Sequence, residues 1–477
     1  MAESDHDAEV DAETVDALLV RTKHRSSQLR GRRRLLFGGS GSVLAVALVV
    51  ALAVVVLPGS SNGPAPMAQK GLVVSAQLDG AAEYSAPVAQ AQPDIGSAQE
   101  SAVAAAEQGF SLKLLQRLML GRSASISNQV VSPSSLAVAL SMLELGAKGQ
   151  TESQIASVLG TSALAPTGQS AGWNALDGDL AKGTVTGGLQ LQQANALWSA
   201  QGLRLMPAFM QSLQRDYGAG MWQADFSTAA ATAAINAWAA QQTHGKITQL
   251  FPPGPLGADV ALILANAIYF KGAWQTPFSA TTATAPFSTA SGAKVRAAYM
   301  LMGQDGADLA WANTSHYSVV ALPYKGGRYS ALVLMPKSGS LSSFTAGLNP
   351  AELGRVVGSM HSSLLKLSMP TFQFSTSLDL SATLKAMGMS AAFGGGADLS
   401  GLSTAPGLQV LSVIQKAFLH VDTAGTEAAA VTAIAVGTSG IVGGVPSLRV
   451  DHPFLFLIRD THTGTILFAA SVENPAA

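Results

Sequence analysis

Leu35 to Leu57, LLFGGSGSVLAVALVVALAVVVL, is a run of 23 residues without a single charge. As a helix rising 1.5 Å per residue it would span about 34 Å, enough for a hydrocarbon core of roughly 30 Å. Before it stand Arg21, Lys23, Arg25, Arg30, Arg32, Arg33 and Arg34 with no acid among them, and before those a mainly acidic stretch from Glu3 to Asp16. The positive-inside bias then makes residues 1–34 a charged cytoplasmic tail, 35–57 a single-pass transmembrane signal anchor, and everything later extracytoplasmic. The competing reading is secretion after cleavage of a signal peptide whose apolar core is Val43 to Leu57. Against it, the polar lead is long and partly acidic, and no convincing A-x-A site follows Leu57.

Residues 58–101, with PGSSNGPAPMAQKG and SAPVAQAQPDIGSAQ, read as a flexible extracytoplasmic linker. A folded domain is expected over 102–477. Length alone would allow about three domains. Composition argues otherwise, because only 12% of the 477 residues are charged, about half the usual share. The net charge of -1 leaves no basic field for nucleic acid. With 0 cysteines there is no disulfide scaffold, thiolate metal site or cysteine nucleophile. The abundance of Ala and Gly fits a GC-rich bacterial source.

Within that domain Phe110, Leu114, Leu115 and Leu118 share one helical face, and a second helix carries Pro133 in its first turn and stops at Gly146. ALILANAIYFKGAW reads as a buried strand. SVVALPYK and SALVLMPK read as a strand pair joined at Gly326-Gly327, and LKLSMPTFQFST as one edge or bulged strand. LDLSATLKAMGM is a helix, and two final strands flank Thr463-Gly464. Helices and strands in blocks, without regular alternation, indicate an α+β fold.

Enzyme motifs fail in turn. Gly388-Met-Ser390-Ala-Ala392 lacks the second glycine of a nucleophile elbow, and Gly394-Gly395-Gly396 follows a helix rather than a strand. Ser363-Leu-Leu-Lys366 with His462-Thr463-Gly464 partly fits a penicillin-recognising serine hydrolase, the remote alternative, but S-D-N is missing. No histidine spacing suits a metal, so neither metal nor cofactor is expected, and the chain is read as no enzyme.

One segment resists both ordinary readings. GTEAAAVTAIAVGTSGIVGGVPSLRV is long and nearly uncharged for a loop, yet too small-chained for a core strand. Extended, it puts Thr426, Ala428, Ala430, Thr432, Ile434, Val436 and Thr438 on one face. Small residues there would let it slide between two existing strands. A plain Ala/Gly connector is the bland alternative.

These residues resemble the hinge of the serpin family, in the form typical of inhibitory members: Gly425, Thr426, Glu427, Ala428, Ala429 and Ala430, followed by Val431 and Thr432. The resemblance extends from about residue 102 to the C-terminus. Asn128 with Ser132-Pro133 and Ser135, Asn266 to Trp274, Ala397 to Gly401, His452 to Phe456 and Phe468 to Pro475 follow in the family's order. It implies helices packed around a large sheet A with smaller sheets B and C, and an exposed reactive centre loop at about 425–446. It further implies suicide inhibition. A serine protease attacks the loop, forms a covalent acyl-enzyme, and is distorted when the cut loop enters sheet A.

Ser132, Ser135, Asn266, Gln415 and Trp274 would be residues of the sheet-opening gate; the plainer roles are a helix cap for Ser132 and a satisfied amide for Asn266. Family spacing puts the reactive bond at Ser439-Gly440, with Val436, Ile441 and Val442 as alternatives. No Arg or Lys lies between Gly425 and Ser447, so an elastase- or subtilisin-like target is favoured over a trypsin-like one. Gln415 replaces the family's gate histidine, and Thr423-Ala424 its glutamate pair. A non-inhibitory serpin serving as a binding or scaffold module is therefore the alternative. No heparin site is evident, since Thr161 to Gln190 holds only Lys182 as a cation. A monomer is expected.

Overall fold

The structure, a computed structural model, describes residues 44–56, 73–85, 88–120, 128–183, 189–302, 305–423 and 444–477. Its elements begin with strands β1 (Leu44–Val56), β2 (Val73–Leu78) and β3 (Ala81–Ser85), then helix α1 (Ala98–Leu120), β4 (Gln129–Val131) and α2 (Pro133–Glu144). Next come α3 (Gly149–Leu159), α4 (Pro166–Lys182), β5 (Gln190–Ala200), α5 (Pro207–Tyr217), β6 (Gly220–Ala224), α6 (Ala229–Gln242) and β7 (Val260–Gly272). The middle holds β8 (Ser279–Ser288), β9 (Lys294–Leu301), β10 (Ala307–Asn313), β11 (Tyr317–Pro323), β12 (Tyr329–Pro336), α7 (Leu341–Ala346) and α8 (Pro350–Gly358). The chain closes with β13 (His361–Pro370), β14 (Phe372–Asp379), α9 (Ser381–Met387), β15 (Leu408–Val421), β16 (Ser447–Arg449), β17 (Phe454–Asp460) and β18 (Ile466–Val472).

The large sheet has the order β14-β15-β1-β7-β5-β6-β3-β2. A second sheet runs β4-β18-β17-β12-β11-β10-β13-β9-β8, with β16 parallel to β13. Between them and the helices lies a core whose middle is α2, every residue of it from Pro133 to Leu143 buried. On the other face of the large sheet, α6 packs through Trp238 against the stacked pair Trp198 and Trp222. The α+β reading therefore holds.

β1 is a strand inside the run for which a membrane helix was expected. Within Leu35–Leu57, residues 44–56 are a strand between β7 and β15, antiparallel to both. β7 and β15 consequently run parallel to each other, and each offers β1 an edge of backbone N–H and C=O groups that β1 satisfies. The local sequence suits the role: Leu44, Val46, Leu48, Val50, Leu52 and Val54 alternate with Ala45, Ala47, Val49, Ala51 and Ala53, a period of two. Leu and Ala also suit a helix, but β-branched Val favours a strand wherever a pairing edge is available. Among the described residues no helix is long and apolar enough to cross a membrane.

Three smaller differences follow. The expected linker contains the β2-β3 hairpin, turned at Asp79-Gly80 with Gly80 at φ 83°. Asp-Gly between two pairing runs is a hairpin signal, and β3 finds the open edge of β6. Helix α1 also starts at Ala98, ahead of the expected boundary at residue 102. LKLSMPTFQFST is two strands in different sheets, broken at Pro370-Thr371, because proline cannot donate to a continuing ladder. The buried strand at β7, the β11-β12 pair with both turn glycines at positive φ, and the closing β17-β18 pair lie where the sequence placed them.

Candidate functional site at the centre of the large sheet

The buried N-terminus of α2 organises the site. Ser132 caps it in extended conformation and its hydroxyl accepts from the Ser135 amide at 3.2 Å, while Pro133 takes the first helical position, where no N–H is needed. From β15, Gln415 reaches the same turn: the Ser132 amide donates to its Oε1 at 3.2 Å, and its Nε2 donates to the Ser132 carbonyl at 3.0 Å. From β7, Asn266 Oδ1 accepts from the Ser135 hydroxyl. Asn266 Nδ2 then donates to Asn195 Oδ1 at 2.6 Å, and Asn195 Nδ2 to the Tyr217 carbonyl at 3.1 Å. Ser132, Ser135, Asn266 and Gln415 are all 2% exposed or less.

Four of the five gate residues named from the sequence, Ser132, Ser135, Asn266 and Gln415, thus meet at one helix end, and the capping role of Ser132 and the satisfied amide of Asn266 are both present. Asn195 was not among them. Its signal was an asparagine inside the apolar-flanked strand QQANALW, a residue type depleted in central strands. Asn128, grouped with the helix start, instead clamps the chain end: its Oδ1 accepts from the Glu473 and Asn474 amides at 2.8 and 2.9 Å, and its Nδ2 donates to the Asn474 carbonyl.

β7 and β15 reach α2 without touching each other across the gate, because β1 passes between them. Val50 is the register partner of Asn266 on one side and of Gln415 on the other. The arrangement is a sheet whose two halves are each tied to a helix cap by amide side chains, with a one-strand slot between the halves.

Trp274 lies at the end of that slot. Its ring stacks on Tyr324 at 4.6 Å and meets Phe278 edge-on, and its Nε1 donates to the Asp422 carbonyl at 3.2 Å. This bond fastens the end of β7 to the point where β15 leads towards the loop. It uses a backbone acceptor, so the Thr423-Ala424 replacement leaves it intact. The hinge residues Gly425 to Thr432 and the reactive-bond candidates Val436, Ser439, Gly440, Ile441 and Val442 lie outside the described residues. After them, the Pro446 carbonyl accepts from the Lys366 amide at 2.8 Å, and Arg449 of β16 covers the Tyr299 ring at 4.8 Å.

The hydrolase motif does not assemble as a helical S-x-x-K. Ser363 and Lys366 sit on strand β13, where residues three apart point to opposite faces. The Ser363 hydroxyl accepts from Trp311 Nε1 at 2.8 Å.

Two groups of buried polar contacts away from the gate brace the fold. Arg328 forks onto Asp460 at 2.9 and 3.0 Å and onto Asp179 at 3.2 and 2.5 Å, joining α4 to the ends of β12 and β17. Burial works against ionisation of Asp179, but the Arg328 hydrogen bonds and charge outweigh it and hold the carboxyl below its usual range. In α1, burial pushes Glu107 up to about 8 despite hydrogen bonds from the Ser111 hydroxyl at 2.6 Å and the Ile466 amide at 3.3 Å.

Residues 105–475 match the sequence model of the family described as Serpin (serine protease inhibitor). Serpin-Z1A of Triticum aestivum is 35% identical over 385 residues, covering 77% of this chain and 94% of its own. The leukocyte elastase inhibitor of Sus scrofa is 32% identical, covering 78% of this chain and 99% of its own. Among solved structures, thyroxine-binding globulin in complex with thyroxine superposes with a TM-score of 0.69 at 28% identity, covering 78% of this chain and 99% of its own. With the gate, the slot and the order of strands around them, these likenesses lead to one conclusion: the chain belongs to the serpin family.

Proposed function

We propose that this serpin is a suicide inhibitor of an elastase- or subtilisin-like serine protease. The observation that carries the reading is the one-strand slot between parallel strands β7 and β15, with amide side chains tying each side to the cap of α2. A sheet built this way accepts a strand supplied from elsewhere in the chain, as the hinge requires. The protease serine attacks the carbonyl carbon of Ser439, an ester to the enzyme forms, and the amine of Gly440 leaves with a proton. Entry of the segment from Thr426 onward between β7 and β15, in place of β1, then pulls the ester and the protease along, before water can hydrolyse the ester. The serpin itself performs no catalysis. The absence of Arg and Lys from Gly425 to Ser447 directs it to proteases with small apolar pockets, and the likeness to a leukocyte elastase inhibitor supports that class. The likeness to thyroxine-binding globulin favours the second reading, a binding module that inhibits nothing.

For location, the uncharged run of 35–57 behind its basic cluster supports a single-pass anchor with a cytoplasmic N-terminus and the serpin domain outside. The test uses the full chain reconstituted in phospholipid vesicles and mixed with pancreatic elastase or subtilisin. A covalent complex surviving a denaturing gel, with a released peptide beginning at Gly440, is expected. Thr426→Arg should turn the inhibitor into a substrate by putting a charge on the inserting face. Loop cleavage that leaves protease activity undiminished overturns the inhibitory reading.

A further inference from the structure

The same residues carry two incompatible assignments. Leu44–Val56 fills the slot between β7 and β15, paired from Leu44 to Val55 on one side and from Ala45 to Val56 on the other. The slot is where the inhibitory reading sends the cut loop, and strands spaced about 4.8 Å apart leave room there for one. The two candidates are also similar in length: β1 has 13 residues, and the segment from Thr426 to the expected cut after Ser439 has 14. Both alternate in sequence, and the place opposite Asn266 and Gln415 is already taken by Val50.

We propose that residues 44–56 are an exchangeable plug, which blocks loop insertion while it lies in the large sheet and releases the slot when it moves into a lipid bilayer. The inference rests on the inhibitory reading for its consequence, but not for the plug itself. In water, expelling β1 would expose an uncharged run of Val, Leu and Ala, so the filled sheet is favoured. A bilayer offers the same residues a second apolar solvent, in which a helix satisfies every backbone group internally. Arg21, Lys23, Arg25, Arg30, Arg32, Arg33 and Arg34, just ahead of the run, supply attraction to an anionic surface. Because one segment cannot occupy both places, whatever favours the bilayer state shifts the population towards a sheet that can trap. The chain would be silent in solution and armed at a membrane.

The natural absence of cysteine makes the test clean. Ala51 and Ala265 are register partners across β1 and β7, so the full-length A51C/A265C chain should form a disulfide on oxidation in water. Two readouts are then taken after treatment with subtilisin: gel-stable complex, and the rise in unfolding midpoint that an inserted loop would cause. The oxidised chain should show neither, in water or in vesicles of phosphatidylcholine with phosphatidylglycerol. The reduced chain should show both in vesicles, with about tenfold or more complex than in water. Val50→Pro, which removes a ladder hydrogen bond from the middle of β1, should behave in water as the reduced chain does in vesicles.

Failure of the disulfide to form, or an oxidised chain that traps and gains heat stability as the reduced one does, overturns the plug. Vesicles that leave the complex yield of the reduced chain unchanged overturn the exchange with lipid. A Val50→Pro chain that gains heat stability on cleavage yet forms no complex leaves the plug standing and overturns the inhibitory reading instead.

Discussion

Gln415 offers a direct probe of the gate, because its two hydrogen bonds serve one residue. It accepts from the Ser132 amide at 3.2 Å and donates to the Ser132 carbonyl at 3.0 Å, with Ser132 fully buried and Gln415 1% exposed. The Ser132 carbonyl has a second partner, the Leu136 amide at 3.2 Å, but the Ser132 amide has only Gln415 among the described contacts. Gln415→Leu therefore strands a buried N–H, at about 1–3 kcal/mol. With an unfolding entropy of about 2.1 cal/mol/K per residue over roughly 370 residues, a loss near 2 kcal/mol lowers Tm by about 2–3 °C.

Gln415→His sharpens the test. A neutral imidazole can accept with one ring nitrogen and donate with the other, which satisfies both groups of Ser132; an imidazolium has two donors and leaves the amide stranded. Its folded pKa should thus lie below the ordinary value of about 6.5. Stability is then fully present above the unfolded pKa and lost as pH falls below it, by up to about 2 kcal/mol at pH 5. The wild type, with an amide that does not titrate, should lack this step. Calorimetric scans of the three proteins at pH 8 and pH 5 decide the matter. If Gln415→Leu stays within about 0.5 kcal/mol of wild type, or Gln415→His loses nothing extra in acid, the amide pair is not what ties β15 to α2.

Two further outcomes come from the bracing clusters. Glu107 stays protonated up to about 8 in the fold, whereas the unfolded chain releases that proton near 4.5, so its burial costs stability progressively as pH rises between those values. Glu107→Gln should therefore gain on wild type by about 3–4 kcal/mol between pH 5 and pH 8; parallel urea-unfolding profiles would refute it. Arg328→Met removes the shared partner of Asp179 and Asp460 and should cost about 3–5 kcal/mol at neutral pH. Because the Asp179 carboxyl is held below its usual range, wild type loses that contribution as pH falls through the lowered value, and the gap between the two proteins should narrow in acid.

Much of the gate could be read from the chain because its residues are out of place locally. Ser132 before Pro133 is a helix start by capping alone, and Asn266 is a polar residue inside the apolar run from Val260 to Phe270. Asn195 escaped notice because its partner, Asn266, is 71 residues away and meets it only through the β5-β7 register. The Arg328 fork was equally hidden, since its carboxylates lie 149 and 132 residues distant. The β2-β3 hairpin carried a local signal in Asp79-Gly80, masked by the Pro, Ala and Gln around it.

The sharpest contrast is Leu44–Val56. By itself the sequence determined that these residues avoid water, since no charge occurs from Leu35 to Leu57. It did not determine which apolar environment they take. A run of Leu, Ala and Val satisfies its backbone as a helix in hydrocarbon or as a strand in a sheet, and its alternation is compatible with either. The tertiary structure decided that a strand is available to them: β7 and β15 lie parallel at two strand spacings, and each turns an edge to β1, which pairs with both as an antiparallel strand.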